Sequence, residues 1–174
     1  MVIHSHKCNA RFDEDAQGEP PICSSQDGKY DTNHKTGTVN LCEDCMFNEY
    51  GSSKKGAGKA CKNMIRLYIL VEGSPIPLVL CLPPTSINGW QNYRLASLAP
   101  KAMKPIEVLT EFTLSPQTSK SGIKYSVVKP KLLGKLDAAT AETMRYFAKG
   151  FAPEVEITAD DYNTVPEKDG KNAG

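Results

Sequence analysis

The sequence predicts a mainly β protein of the α+β class, with one or two helices, and three observations carry that prediction. Beyond residue 63, three segments alternate with the period of two that a strand imposes, and a fourth is a short apolar run of strand length. Two others carry apolar residues at helical spacing, each between a capping residue and a stop. The stretch before them is too rich in Asp, Gly, Pro, Ser and Asn to build a core of its own, yet it holds closely spaced cysteines.

The elements follow in order. Over 64–71, Ile65, Leu67, Ile69 and Val71 alternate with Met64, Arg66, Tyr68 and Leu70. Glu72-Gly73-Ser74-Pro75 is a turn, and 76–82 is a second apolar strand closed by Pro83-Pro84, so the two form a hairpin. Thr85 or Ser86 caps a helix to about Leu98 that carries Ile87, Trp90, Leu95 and Leu98, with Gly89 a weak spot. Strands over 106–114 and 123–129 flank a polar loop at 115–122. Asp137 caps a last helix over 138–149, stopped by Gly150 and docked through Leu136, Met144, Phe147 and Phe151. If 2–6 supplies one more strand, the order is that of an OB-fold-like barrel, with the cysteine region inserted between its first and second strands. The expected organisation is an N-terminal segment (1–21), an inserted zinc knuckle (22–63), an OB-like β body with helices (64–151) and a disordered acidic tail (152–174).

Cys23, Cys42, Cys45 and Cys61 give the insertion its reason to fold. They are spaced C-x18-C-x2-C-x15-C, and a thiolate pair two residues apart grips one tetrahedral metal that two flanking thiolates complete. A closed set of four thiolates leaves no open position, so the expected cofactor is a structural Zn2+ rather than a catalytic one. His34 is an alternative fourth ligand, and Cys8, His4 and His6 are further candidates near the start. Free cysteines in a mobile loop are the bland reading. Cys81, inside an apolar strand, reads as a buried core thiol.

Charge points to a partner. Residues 1–50 carry four Lys/Arg against nine Asp/Glu, residues 51–135 thirteen against three, and residues 136–174 four against eight. A basic middle between acidic ends suggests a polyanion-binding body. Single-strand binders combine a basic groove with aromatic faces for the bases. Lys54, Lys55, Lys59, Lys62, Arg66, Arg94 and Lys124 supply the charge, while Tyr68 and then Tyr93 are the best stacking candidates. Trp90 reads as core, and Tyr125 is evenly balanced between the two roles. A solvated lysine-rich surface is the bland alternative. The acidic tail would compete for the groove or recruit replication or recombination proteins.

Several classes are disfavoured. Gly58-Lys59 is followed by Ala60, so the hydroxyl of a Walker loop is missing, and neither HExxH nor the His-x-Glu of zinc deaminases occurs. The three histidines all fall within the first 34 residues, away from the strand-rich body, so no nucleophile–histidine arrangement can be argued. Glu107 and Glu111, on one expected strand face, keep a metal-dependent nuclease as a rival. No run reaches the roughly 18 apolar residues of a membrane span. The start lacks the apolar core of a signal peptide, so the expectation is a cytoplasmic, non-enzymatic protein with no membrane partner.

Three blocks carry a resemblance. Cys23-Ser24-Ser25-Gln26-Asp27-Gly28, then Cys42-Glu43-Asp44-Cys45-Met46-Phe47-Asn48-Glu49-Tyr50-Gly51-Ser52, then Gly58-Lys59-Ala60-Cys61-Lys62-Asn63, with Leu82-Pro83-Pro84-Thr85-Ser86 downstream, resemble a family of bacteriophage and prophage proteins. Tyr50 stands where that family often has Trp, and the segment before Cys23 is shorter. The resemblance covers about residues 22–130. Its architecture is similar to phage single-stranded DNA-binding proteins, which pair an OB-fold with a zinc-stabilised element and an acidic tail. It implies a sequence-tolerant accessory protein of phage DNA replication or recombination, acting in the bacterial host cytoplasm. A zinc-knuckle module that binds host replication or transcription machinery is the alternative.

Overall fold

The computed structural model describes residues 1–15, 20–33, 38–119 and 122–151. The expected acidic tail and His34 lie outside the described residues. The protein is mixed α and β, mostly strands with two α-helices among the described residues. It divides into two compact units, one of Met1–Cys8 and Lys62–Pro153, the other built on Asn9–Cys61. The chain thus leaves the first unit after Cys8 and returns to it at Lys62.

In the first unit, β1 (Val2–Arg11, of which residues 2–8 belong here) neighbours β5 (Cys61–Ile69), and β5 neighbours β6 (Leu78–Leu82). The first strand is longer than its polar composition predicts. Met1 and Leu70 exchange backbone hydrogen bonds at 2.9 Å and so fasten its start. β5 and β6 form the expected hairpin, with Leu67 opposite Leu80 and Ile65 opposite Leu82. Gly73 holds φ +77 in the turn between them, a left-handed conformation that glycine adopts without a Cβ clash.

Helix α1 (Pro84–Asn92) follows and continues as π-type turns over Tyr93–Leu98. Its capping position is Pro83, which has no side-chain cap, so neither Thr85 nor Ser86 caps it. Pro84 takes the first helical position, where a missing N–H costs nothing. Ser86 is instead fully buried, and its Oγ accepts the Val128 amide at 3.0 Å. β7 (Val108–Thr118) and β8 (Lys124–Lys135) then form a separate two-stranded sheet, with a bulge beside Leu109 and Thr110. Both strands run further than the alternation suggested, because residues 115–118 pair with 124–127 where a polar loop was expected. Helix α2 (Ala138–Gly150) is capped as read: Asp137 accepts from the Thr140 amide at 2.9 Å and the Thr140 hydroxyl at 2.6 Å.

The core of this unit joins Val2, Leu67, Leu82, Trp90, Tyr93, Leu98, Val108 and Val128, with Ile65, Ile69, Leu80, Met103, Phe112 and Leu132 packed against them. Burying residues of this size removes about 1.5–3 kcal/mol of unfavourable hydration for each large side chain. No strand pairing closes a barrel among the described residues.

In the second unit the end of β1 pairs with β2 (Cys23–Ser25), β2 with β3 (Tyr30–Asn33), and β3 with β4 (Thr38–Leu41), all antiparallel. Part of the Asp-, Gly-, Pro-, Ser- and Asn-rich stretch is therefore a small meander. Its β2–β3 turn is written in Asp27-Gly28: the Asp27 carboxylate accepts from Ser25 Oγ and the Lys29 and Tyr30 amides at 2.7–3.0 Å, and Gly28 holds φ +74. No helix among the described residues is long and apolar enough to cross a membrane.

Candidate metal centre and basic surface

Each of the four predicted ligands sits where the meander or its exit turns. Cys23 opens β2, Cys42 directly follows β4, Cys45 precedes the 3-10 turn Met46–Asn48, and Cys61 opens β5. The Cys42 amide donates to Lys29 O at 2.7 Å, and Asn48 ties the two turns by donating from Nδ2 to Cys42 O at 2.7 Å. All four cysteines line one cavity of about 540 Å³ in the second unit, with Asp31, Asp44 and Phe47 also on its wall. Arg11 lies over the Phe47 ring at 3.9 Å.

The thiols sense one another. Burial, then the charges of Cys42 and Cys45, push Cys61 up to about 11. Burial, then the hydrogen bond to Asp31 and its charge, push Cys23 far up. Cys42 is also raised by burial, against hydrogen bonds from Asn9 and Ser25 that lower it. The thiolates of Cys23, Cys42 and Cys61 are therefore disfavoured until a cation neutralises them. The sequence reading missed Asp31. It is buried, accepts the Cys23 thiol at 2.7 Å, and binds the Asn40 amide through its other oxygen at 3.1 Å. As the side chains stand, no group of three or more His, Cys, Asp or Glu among the described residues is arranged to hold a metal ion.

The candidate nucleic-acid residues scatter. In the second unit, Lys54 pairs with Asp15 at 2.6 Å, Lys55 donates to Glu14 O, and Lys59 reaches Asn48 Oδ1 at 3.2 Å and lies over the Tyr50 ring at 5.2 Å. In the first unit, Lys62 is half-buried at the start of β5, while Arg94 and Lys124 are exposed. Tyr93 is core: it is buried, its hydroxyl lies 2.7 Å from Thr110 Oγ1, and its ring is 5.7 Å from Trp90. Its i+3 spacing from Trp90 is the signal that could have placed it there. Tyr68 is half-buried against His4, His6 and Phe151 at 5.5–5.8 Å. Cys81 is exposed rather than core, because Leu80 and Leu82 take the inward positions of β6.

Glu107 and Glu111 do not share a strand. Glu107 ends a 3-10 turn before β7, where its carboxylate accepts the Lys104 amide at 3.1 Å and Arg145 at 2.8 Å. Glu111 lies 3.9 Å from Lys131. The sequence reading undervalued β8. There Tyr125, Lys129 and Lys131 share one alternating face, all exposed, opposite Gln117, Thr113 and Glu111, with Val127 buried between the first two. No protein-family profile, curated protein or solved structure matches the chain.

Proposed function

We propose that the chain is a non-enzymatic, sequence-tolerant single-stranded DNA-binding protein, accessory to phage DNA replication or recombination. The observation that carries this reading is the outer face of the β7–β8 hairpin. It holds Tyr125, Lys129 and Lys131 at alternate positions, with buried Val127 between Tyr125 and Lys129 and Glu111 the one carboxylate in the registered pairs. A ribbon that presents two cations and an exposed ring on one face suits a phosphate backbone with splayed bases. The element order of the first unit, three strands, a helix and two strands, supports an open relative of the OB-fold.

The second unit is proposed to be organised by one structural Zn2+ on Cys23, Cys42, Cys45 and Cys61. The donor chemistry fits: four thiols line one cavity, and burial makes Cys23, Cys42 and Cys61 costly to ionise alone. Closing them on an ion requires Cys23 to turn away from Asp31. The Lys54, Lys55 and Lys59 contacts are mostly exposed and weak enough for a polyanion to displace.

Fluorescence anisotropy of labelled oligo-dT, oligo-rU and a DNA duplex, with zinc-loaded protein at low and high salt, tests the reading. Tight, salt-sensitive binding that favours oligo-dT is expected. Affinity that ignores salt would sink it, because neutralising phosphates must release counterions. One observation favours a second reading, a module that binds host replication or transcription proteins. Ile76, Leu78 and Val79 are 72%, 57% and 55% exposed at and before β6, an unusual apolar concentration on a strand. A stable protein complex without intrinsic DNA affinity would select that reading.

A further inference from the structure

β6 (Leu78–Leu82) is the last strand of its sheet, with β5 on one side and no strand paired to the other among the described residues. An edge of this kind presents backbone donors and acceptors to another strand, and proteins ordinarily guard it with charge. Leu78-Val79-Leu80-Cys81-Leu82 carries none. Leu78 and Val79 are 57% and 55% exposed, and Cys81 is exposed too. Pro77 before the strand and Pro83 after it lack the N–H that would extend a ladder, so a partner strand pairs over these five residues. Alternation sets the faces. Leu78, Leu80 and Leu82 share the inward one, where Leu82 is buried, Leu80 packs on the core and Leu78 stays exposed. Val79 and Cys81 share the other, opposite Tyr68 and Arg66 of β5.

The strand reads almost alike in both directions about Leu80, and this points to its occupant. A two-fold axis through Leu80 brings a second copy in antiparallel, as an isologous contact requires. That register sets Leu78 opposite the partner's Leu82 and Val79 opposite the partner's Cys81. Each exposed Leu78 then prolongs the inward leucine row of the other copy, and Val79 covers the partner's thiol. A strand without charge gives an acidic or basic partner nothing to recognise, whereas it matches its own length and apolar pattern. We infer that β6 is a self-association edge, pairing antiparallel about Leu80 with β6 of a second copy. Five residues a side make an interface well below the standard size of about 1,600 Å², so the dimer is weak and depends on concentration. The inference stands apart from the DNA-binding reading and gives the apolar residues of β6 an occupant other than a host protein.

Sedimentation velocity of the full chain over a concentration series tests it. A monomer–dimer equilibrium is expected, with the dimer fraction rising with concentration. Val79→Lys and Leu78→Lys each put a charge on the edge at an exposed position, and each should abolish the dimer where the parent forms it. Trp90 fluorescence, which reports the core that Leu82 joins, should stay as in the parent. The register has its own test. Val79→Cys places a thiol opposite the partner's Cys81, so oxidised glutathione should link two chains through a disulfide between position 79 and Cys81, releasing two reduced glutathiones per bond. Adding Cys81→Ser should abolish that link. A chain that is monomeric at every concentration would overturn the inference. So would a dimer unmoved by both lysines and giving no link between 79 and 81. A monomer whose capture of a host protein is lost in Val79→Lys would overturn it as well, and assign the strand to the second reading. Should a lysine variant lose the parent's Trp90 signal, the Val79→Cys link decides.

Discussion

The junction of α1 with β8 offers a sharp test of how the first unit holds together. Ser86 is fully buried and its Oγ accepts the Val128 amide at 3.0 Å. Ser86→Ala leaves that buried amide without a partner, which costs about 1–3 kcal/mol. At roughly 4–8 °C per kcal/mol for a unit of this size, the midpoint should fall by about 5–20 °C. Thr85→Ala, at an exposed position with no cap bond, should stay within about 0.5 kcal/mol. Gly89 lies one helical turn on, and a Cβ there would meet Val128 O at 3.3 Å. Alanine gains about 0.8–1 kcal/mol of helix propensity, but only if β8 yields by a few tenths of an ångström. The Ser86 bond pins that same residue. Gly89→Ala should therefore be more favourable in the Ser86→Ala background than alone, with a coupling of about 0.5 kcal/mol or more. Trp90 is the single tryptophan and belongs to this core, so its fluorescence during urea unfolding reports the first unit specifically. Equal midpoints for Ser86→Ala and Thr85→Ala, or strict additivity with Gly89→Ala, would refute the reasoning.

Other expectations follow from single sites. Tyr93→Phe should cost about 1 kcal/mol through loss of the Thr110 contact without changing oligo-dT affinity, since the ring is core; a selective loss of affinity would return it to the surface. Lys129→Gln with Lys131→Gln should lower the log–log salt slope for oligo-dT by about 1.4, as two single-strand phosphates lose their cations; an unchanged slope would move the binding face elsewhere. Chelation, or Cys42→Ser, should release one Zn2+ per chain in a colorimetric metal assay and expose the second unit to protease while Trp90 fluorescence holds; a chain purified without zinc yet equally resistant would remove the metal from the account. Glu107 is held below its ordinary 4.5 by the Lys104 amide and by Arg145. Its contribution is therefore present above that value and lost as pH falls through the lowered folded-state value. Glu107→Gln should flatten that part of an acid-unfolding profile, and an identical profile would count against the contact.

Short-range chemistry was legible in the sequence. The β5–β6 hairpin, the last helix with its Asp137 cap, and the grouping of Cys23, Cys42, Cys45 and Cys61 on one cavity all follow from patterns within a few residues or from a donor set. The meander β2–β4 was missed because its strands are three or four residues long, too short for alternation to show. Its clearest signal was the Asp27-Gly28 turn.

Tertiary structure alone decided which side chains are used and by whom. Tyr93 and Tyr68 look alike as exposed-ring candidates, but one is claimed by Thr110 and Trp90 and the other by His4, His6 and Phe151. Ser86 has the identity of a helix cap and instead closes a hydrogen bond 42 residues away. Alternation and capping depend on neighbours along the chain, so a sequence states them directly. Burial, orphaned donors and the partner of a given thiol depend on which distant strand arrives beside it, and that is settled only when the whole core packs.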